Sequence, residues 1–151
     1  MNEIGIDVKF LEGKAVDYEQ AIRLCADCLL QTGYIKDSFV DACLEREQQF
    51  PTGLPLNPGV AIPHADSVHV KKSCLCLLRL TEPVQFRRID NPEQKIDITF
   101  VICIAIAIPN NHNVVLAHLI KAFQDNTFTL ELESSSPEEV VALFKARMLT
   151  N

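Results

Sequence analysis

Residues 96–107, IDITFVICIAIA, form the longest apolar run in the chain. Only Asp97 and Thr99 interrupt it. The run is rich in Ile and Val, whose branched side chains favour extended backbone. A strand that is apolar at consecutive positions leaves no face for water, so it belongs in the middle of a sheet covered on both sides. Carried on to Pro109, the run is still shorter than the roughly 20 apolar residues that a membrane helix needs. The rest of the chain can supply the cover, because 48% of its 151 residues are hydrophobic. Trp is absent and aromatics are few, so the core must be largely aliphatic.

Other segments read as the partners of that strand. Asp17-Tyr-Glu-Gln20 has the form of a capping box, and Ala21, Leu24, Cys25, Cys28 and Leu29 follow a helical period up to Gly33, a plausible helix end. A second helix is expected from Asp37 or Ser38 to about Gln49, with Phe39, Val40, Cys43 and Leu44 on one face. Residues 51–59, PTGLPLNPG, hold three Pro and two Gly and are expected to be a loop with no regular element. Val60-Ala-Ile62 reads as a short strand that stops at Pro63-His64. Strands are also expected at Ser73–Leu80 and Val84–Arg87. Asn110–Asn113 is a polar turn before a helix carrying Val115, Leu116, Leu119, Ile120 and Phe123 and ending near Asp125. Residues 126–133 fit either a helix or a strand. Ser136-Pro-Glu-Glu139 opens a last helix that reaches about Met148. The pattern is α/β: a single domain with a mixed sheet flanked by helices.

The net charge of −6 and the lack of any basic run argue against nucleic acid or an anionic membrane as partner. The N-terminal MNEIGIDVKF has no basic stretch followed by an apolar one, so it does not read as a signal peptide. A cytoplasmic location is expected, and with it six unpaired cysteines. Cys25-x-x-Cys28 falls inside the first helix, and Cys74-x-Cys76 on one face of a strand. Both read as core packing.

His64 follows a buried strand and a rigid Pro, at the end of a strand where α/β domains place their sites. Gly59-Val-Ala-Ile-Pro-His64-Ala65 resembles the GxAxPH phosphorylation-site motif of the fructose/mannitol-type Enzyme IIA family of the sugar phosphotransferase system. Leu44-Glu-Arg46-Glu47 resembles the Arg-Glu pair that ends the family's helix before the site loop, and Thr52-Gly53 resembles the Thr-Gly of that loop. His112, followed by Leu116, Leu119 and Phe123, resembles the His that opens the family's next helix. These features keep family order over nearly the whole chain, and the stretch with Phe50-Pro-Thr-Gly-Leu54 looks most like the galactitol-specific branch.

The resemblance implies one type-2 Enzyme IIA domain over residues 1–151, with the mannitol/fructose-type Enzyme IIA fold. His64 would accept a phosphoryl group from the histidine phosphocarrier HPr and pass it to a cysteine of the cognate Enzyme IIB, with the membrane Enzyme IIC served indirectly and galactitol the sugar. Arg46 and His112 would flank the phosphoryl group. No cofactor and no metal is implied. The same resemblance leaves open a regulatory module like the nitrogen-type Enzyme IIA proteins, in which phosphorylation of His64 governs binding to a target protein. The residue types suit the transfer. Neutral imidazole is a good nucleophile near pH 7, and an Arg fork can bind phosphoryl oxygens at two points. The spacing His64-x-Asp66-x-x-His69 matches no established zinc pattern and lacks a general-base Glu. Asp66 reads as a solvated turn residue, and His69 and His118 as structural or exposed.

Overall fold

The structure, a computed structural model, describes residues 6–149. Residues 1–5 of the N-terminal MNEIGIDVKF, and both ends of the expected span 1–151, lie outside it. Five strands form one mixed sheet. In chain order they are β1 (Asp7–Gly13), β2 (Gly53–Leu54), β3 (Val60–Ala61), β4 (Cys74–Arg87) and β5 (Lys95–Ala105). Five α-helices accompany them: α1 (Tyr18–Gln31), α2 (Phe39–Gln49), α3 (His112–Phe123), α4 (Asn126–Ser134) and α5 (Pro137–Leu149). The sheet order is β1-β4-β5-β3-β2. β1 is parallel to β4, β4 antiparallel to β5, β5 parallel to β3, and β3 antiparallel to β2.

β5 is buried on both faces, as its composition predicts. Val101, Cys103 and Ala105 join Cys74, Cys76 and Leu78 of β4 beneath α1 and α2. Phe100, Ile102 and Ile104 join Leu75 and Leu77 beneath α3, α4 and α5. The strand's two-residue period thus sorts one apolar run into two separate cores. All six cysteines are free, and five of them are fully buried in the first core.

The helix ends follow their caps. The Asp17 carboxylate accepts from Gln20 N–H at 2.9 Å, and the Gln20 side chain reaches back to Val16 N–H. At the far end of α1, Gly33 has φ of 87°, the left-handed turn that glycine adopts without steric cost. Ser136 and Glu139 exchange side chain-to-backbone bonds at the start of α5.

Several elements differ from the expectation. β1 was not anticipated, because Lys9 and Glu12 break its apolar pattern; it is an edge strand, with only one neighbour to satisfy. The expected strands 73–80 and 84–87 are one strand, with a register shift between Arg79 and Val84 where Pro83 cannot donate to the ladder. The loop 51–59 does contain a regular element, β2, just two residues long. Residues 126–133 are helical. α3 begins at His112, inside the expected polar turn, after Asn110 takes a left-handed φ of 75°.

Gly59 lets β3 approach β5 closely. Its carbonyl accepts from Thr99 and Phe100 N–H at 2.9 and 3.2 Å. A Cβ at this position would sit 2.1 Å from the Asp97 carbonyl oxygen. Gly59→Ala should therefore destabilise the fold by about 3 kcal/mol in urea unfolding. An unchanged midpoint would show that the two strands can part without cost.

Candidate functional site

The ladder that carries β3 along β5 continues past the strand end. Pro63 contributes its carbonyl, which accepts from Ile104 N–H at 2.9 Å, and His64 bridges to Ile104. His64 therefore stands at the C-terminal ends of two parallel strands, where open α/β sheets hold their ligands.

Its ring has a defined orientation. Nδ1 lies 2.9 Å from the Ile62 carbonyl oxygen. A carbonyl only accepts, so Nδ1 carries the proton and Nε2 keeps the lone pair. Burial lowers the His64 pKa, and the nearby Arg46 and His112 lower it further, against the opposing effects of the Ile62 carbonyl and Asp66. The ring is neutral near pH 7, as a nitrogen nucleophile must be.

Polar atoms that lack partners occur on the two neighbours of this ring, Arg46 and His112, and on Ser67, which lines a depression with His112. The His64 and His112 ring centroids are 5.7 Å apart, and Arg46 is close enough for its charge to act on His64. Arg46 Nε, His112 Nε2 and Ser67 Oγ are each buried without a hydrogen-bond partner. An unmet buried polar group costs about 1–3 kcal/mol, so these atoms are suited to binding a polar ligand. Helix α3 adds to this. It starts at His112, and no side chain caps its first turn, which leaves backbone N–H groups and the positive end of the helix dipole free for an anion. An open depression on this side is lined by Asp66, Ser67, Val68, Pro109 and His112 among others. Arg46 stacks over the exposed Phe50 ring, its Cζ 5.5 Å from the centroid.

The three residues singled out from the sequence, His64, Arg46 and His112, are thus brought together. Asp66 is exposed, as expected of a turn residue. His69 Nδ1 pairs with Ser38 Oγ at 2.8 Å, and His118 Nδ1 with the Val114 carbonyl, so both are engaged locally. Ser67 had no signal in the sequence beyond its place three residues after His64. Glu47 and Thr52 were visible only as motif letters. In the fold the Glu47 carboxylate accepts both the N–H and the O–H of Thr52, each at 2.8 Å. Thr52 Oγ1 in turn accepts from Ile62 N–H at 3.1 Å. Arg87 fastens the end of α2 by donating to the carbonyls of Glu47 and Gln48.

Among the described residues, no helix is long and apolar enough to cross a membrane. A family model described as "Phosphoenolpyruvate-dependent sugar phosphotransferase system, EIIA 2" matches residues 6–147. The galactitol-specific EIIA component of Escherichia coli K12 is 30% identical over 110 residues, which span 72% of this chain and 73% of that protein. The crystal structure of IIA mannitol from Escherichia coli matches with a TM-score of 0.72 and 30% identity, over 91% of this chain and 94% of the other. The complex of mannitol enzyme IIA with phosphorylated enzyme IIB from Escherichia coli matches with a TM-score of 0.74 and 28% identity, over 93% and 94%.

Glu47 also leaves a mark on stability. Burial pushes its carboxyl up to about 7, against the pull of the two Thr52 bonds, Arg87 and Arg46. A carboxyl raised from 4.5 in this way adds stability that is full below its unfolded value and lost as pH rises through its folded one. Glu47→Gln removes this dependence. Between pH 4.5 and 8 the unfolding free energy of the variant should gain on wild type by up to about 3 kcal/mol, measured by urea unfolding at each pH. Parallel pH profiles for the two proteins would contradict it.

Proposed function

Because this chain belongs to the EIIA 2 family of the phosphoenolpyruvate-dependent sugar phosphotransferase system, whose members carry a phosphoryl group, we propose that His64 is its phosphoacceptor. The observation that carries this reading is the His64 ring itself: Nδ1 is tied to the Ile62 carbonyl, and the unpartnered Arg46 Nε and His112 Nε2 belong to its neighbours. Nε2 attacks the phosphorus of a phosphohistidine on HPr. The new Nε2–P bond forms as the donor's N–P bond breaks, and the donor nitrogen keeps the electron pair. In the second step a cysteine thiolate of Enzyme IIB attacks the same phosphorus, and the pair returns to Nε2. The proton stays on Nδ1, donated to the Ile62 carbonyl, throughout.

Charge in such a transfer sits on the equatorial phosphoryl oxygens. Arg46 Nε and, in its Nε2–H tautomer, His112 would supply donors for them, which a loose transition state needs more than covalent help. No metal or cofactor enters these steps. Binding of phosphate would also satisfy the buried atoms that are unmet in the free chain.

The mannitol IIA–phospho-IIB complex supports Enzyme IIB as the acceptor. Phe50, Val68, Ile108 and Val114 are exposed near Arg46 and His112, an apolar surface on which HPr and Enzyme IIB would dock in turn. Such brief contacts bury under about 1,200 Å². Enzyme IIC in the membrane would receive the phosphoryl group only through Enzyme IIB, with this chain acting in the cytoplasm. Galactitol as the sugar follows from likeness to the galactitol-specific component.

The test is phosphoryl transfer from phosphoenolpyruvate through Enzyme I and HPr, followed by intact mass. Wild type should gain one phosphoryl group in an acid-labile bond, and His64→Ala none; label on His64→Ala would overturn the proposal. Arg46→Ala should keep the fold and slow uptake on the order of 10²-fold. Wild-type kinetics in that variant would remove Arg46 from the site.

A further inference from the structure

The Ile62 carbonyl that holds the His64 ring is itself not part of any strand. β3 ends at Ala61, so Ile62 N–H has no ladder partner. The Thr52 hydroxyl takes its place. Thr52 can accept there because its own O–H is turned to Glu47 Oε1, and its backbone N–H is held by Glu47 Oε2. On the other side of Ile62, the ring of Pro63 fixes φ and confines the preceding residue to extended backbone. The Pro63 carbonyl is held by Ile104. Ile62 is therefore pinned before and after, and the direction of its carbonyl follows.

From this chain of contacts we infer that Glu47 and Thr52 are positioning residues for phosphoryl transfer: through Ile62 they fix the tautomer and the direction of the His64 ring. The inference rests on His64 being the phosphoacceptor. Neither residue touches the phosphoryl group. Both are only 4% exposed. A site that needed only filling would take Val and Met here and avoid the cost of burying a carboxyl and a hydroxyl. The polar pair instead sets a direction. A Thr side chain offers one acceptor lone pair to Ile62, and the carboxylate decides which way it faces. A ring free to turn would spend part of its time with Nδ1 unprotonated or Nε2 aimed away from Arg46 and His112, and each such state is lost to transfer.

Two readouts separate this role from plain packing. One is the rate of phosphoryl uptake from phospho-HPr. The other, taken on the unphosphorylated protein, is the pair of His64 ring ¹⁵N shifts, which report the tautomer. Thr52→Val keeps the shape and removes the hydroxyl. It should slow uptake about tenfold, the loss of one well-made hydrogen bond, and move the ring shifts toward a tautomer mixture. Thr52→Ser keeps the hydroxyl and should restore both. Wild-type rate and shifts in Thr52→Val would overturn the inference, as would a Thr52→Ser protein as impaired as Thr52→Val. If Thr52→Val does not fold, Glu47→Gln decides, because its amide faces a donor with a donor. Moved ring shifts support the latch, and unmoved shifts overturn it. If wild type takes up no phosphate, His64 is not a phosphoacceptor, and the ring shifts still decide whether Glu47 and Thr52 set its tautomer.

Discussion

Strand β5 is apolar on both faces, and the placement of everything else follows from covering them. α1 and α2 lie over one face and α3, α4 and α5 over the other. That leaves its two edges for pairing. β4 takes one edge in a long antiparallel ladder, and β3 takes the other in a short parallel one. The short ladder leads to the proposed site. It ends after two residues, and the chain beyond it is kept beside β5 by the bridge of His64 to Ile104, with Ile104 N–H donating to the Pro63 carbonyl. His64 is thus fixed to the fully buried half of β5 while its ring is only partly covered. Rigid support beneath a partly open nucleophile is what a group carrier needs, since it must meet two partners with the same atom.

The electrostatics follow from the same arrangement. Burial and the neighbouring Arg46 and His112 favour the uncharged ring, so as the proposed phosphoacceptor His64 would attack without first losing a proton. The groups that disfavour its cationic form are also donors suited to an incoming phosphate. Free, the site holds unmet buried polar atoms and an uncapped helix start. Phosphorylated, it would hold the anion that answers them. The phosphoryl group must not be held too firmly, because it has to leave again. A few neutral or singly charged donors fit that need better than a metal ion would.

Much of this was legible in the sequence, for physical reasons. The run at 96–107 was the best candidate for a central strand, and the Asp17 and Ser136 caps mark helix starts through local bonds that need no tertiary contact. Arg46, His64 and His112 lie 18 and 48 residues apart in turn, and their meeting was legible through likeness to a family, not from spacing. β1 was not legible: its Lys9 and Glu12 are tolerated at a sheet edge, and its pairing to β4 bridges more than sixty residues. β2 is too short to leave a pattern. Ser67, Glu47 and Thr52 gain their meaning from what they touch. A Glu at the end of a helix is ordinarily solvated, and only the fold shows that this one is buried against Thr52.

The direction of the His64 ring is where fold and chemistry join, so the most direct measurement is the site of the phosphoryl group on that ring. Long-range ¹H–¹⁵N NMR of the phosphorylated protein resolves both ring nitrogens and their coupling to phosphorus. Phosphorus should be on Nε2 of His64, with Nδ1 still protonated and bonded to the Ile62 carbonyl. Phosphorus on Nδ1, or on any other side chain, would contradict a carrier built in this way.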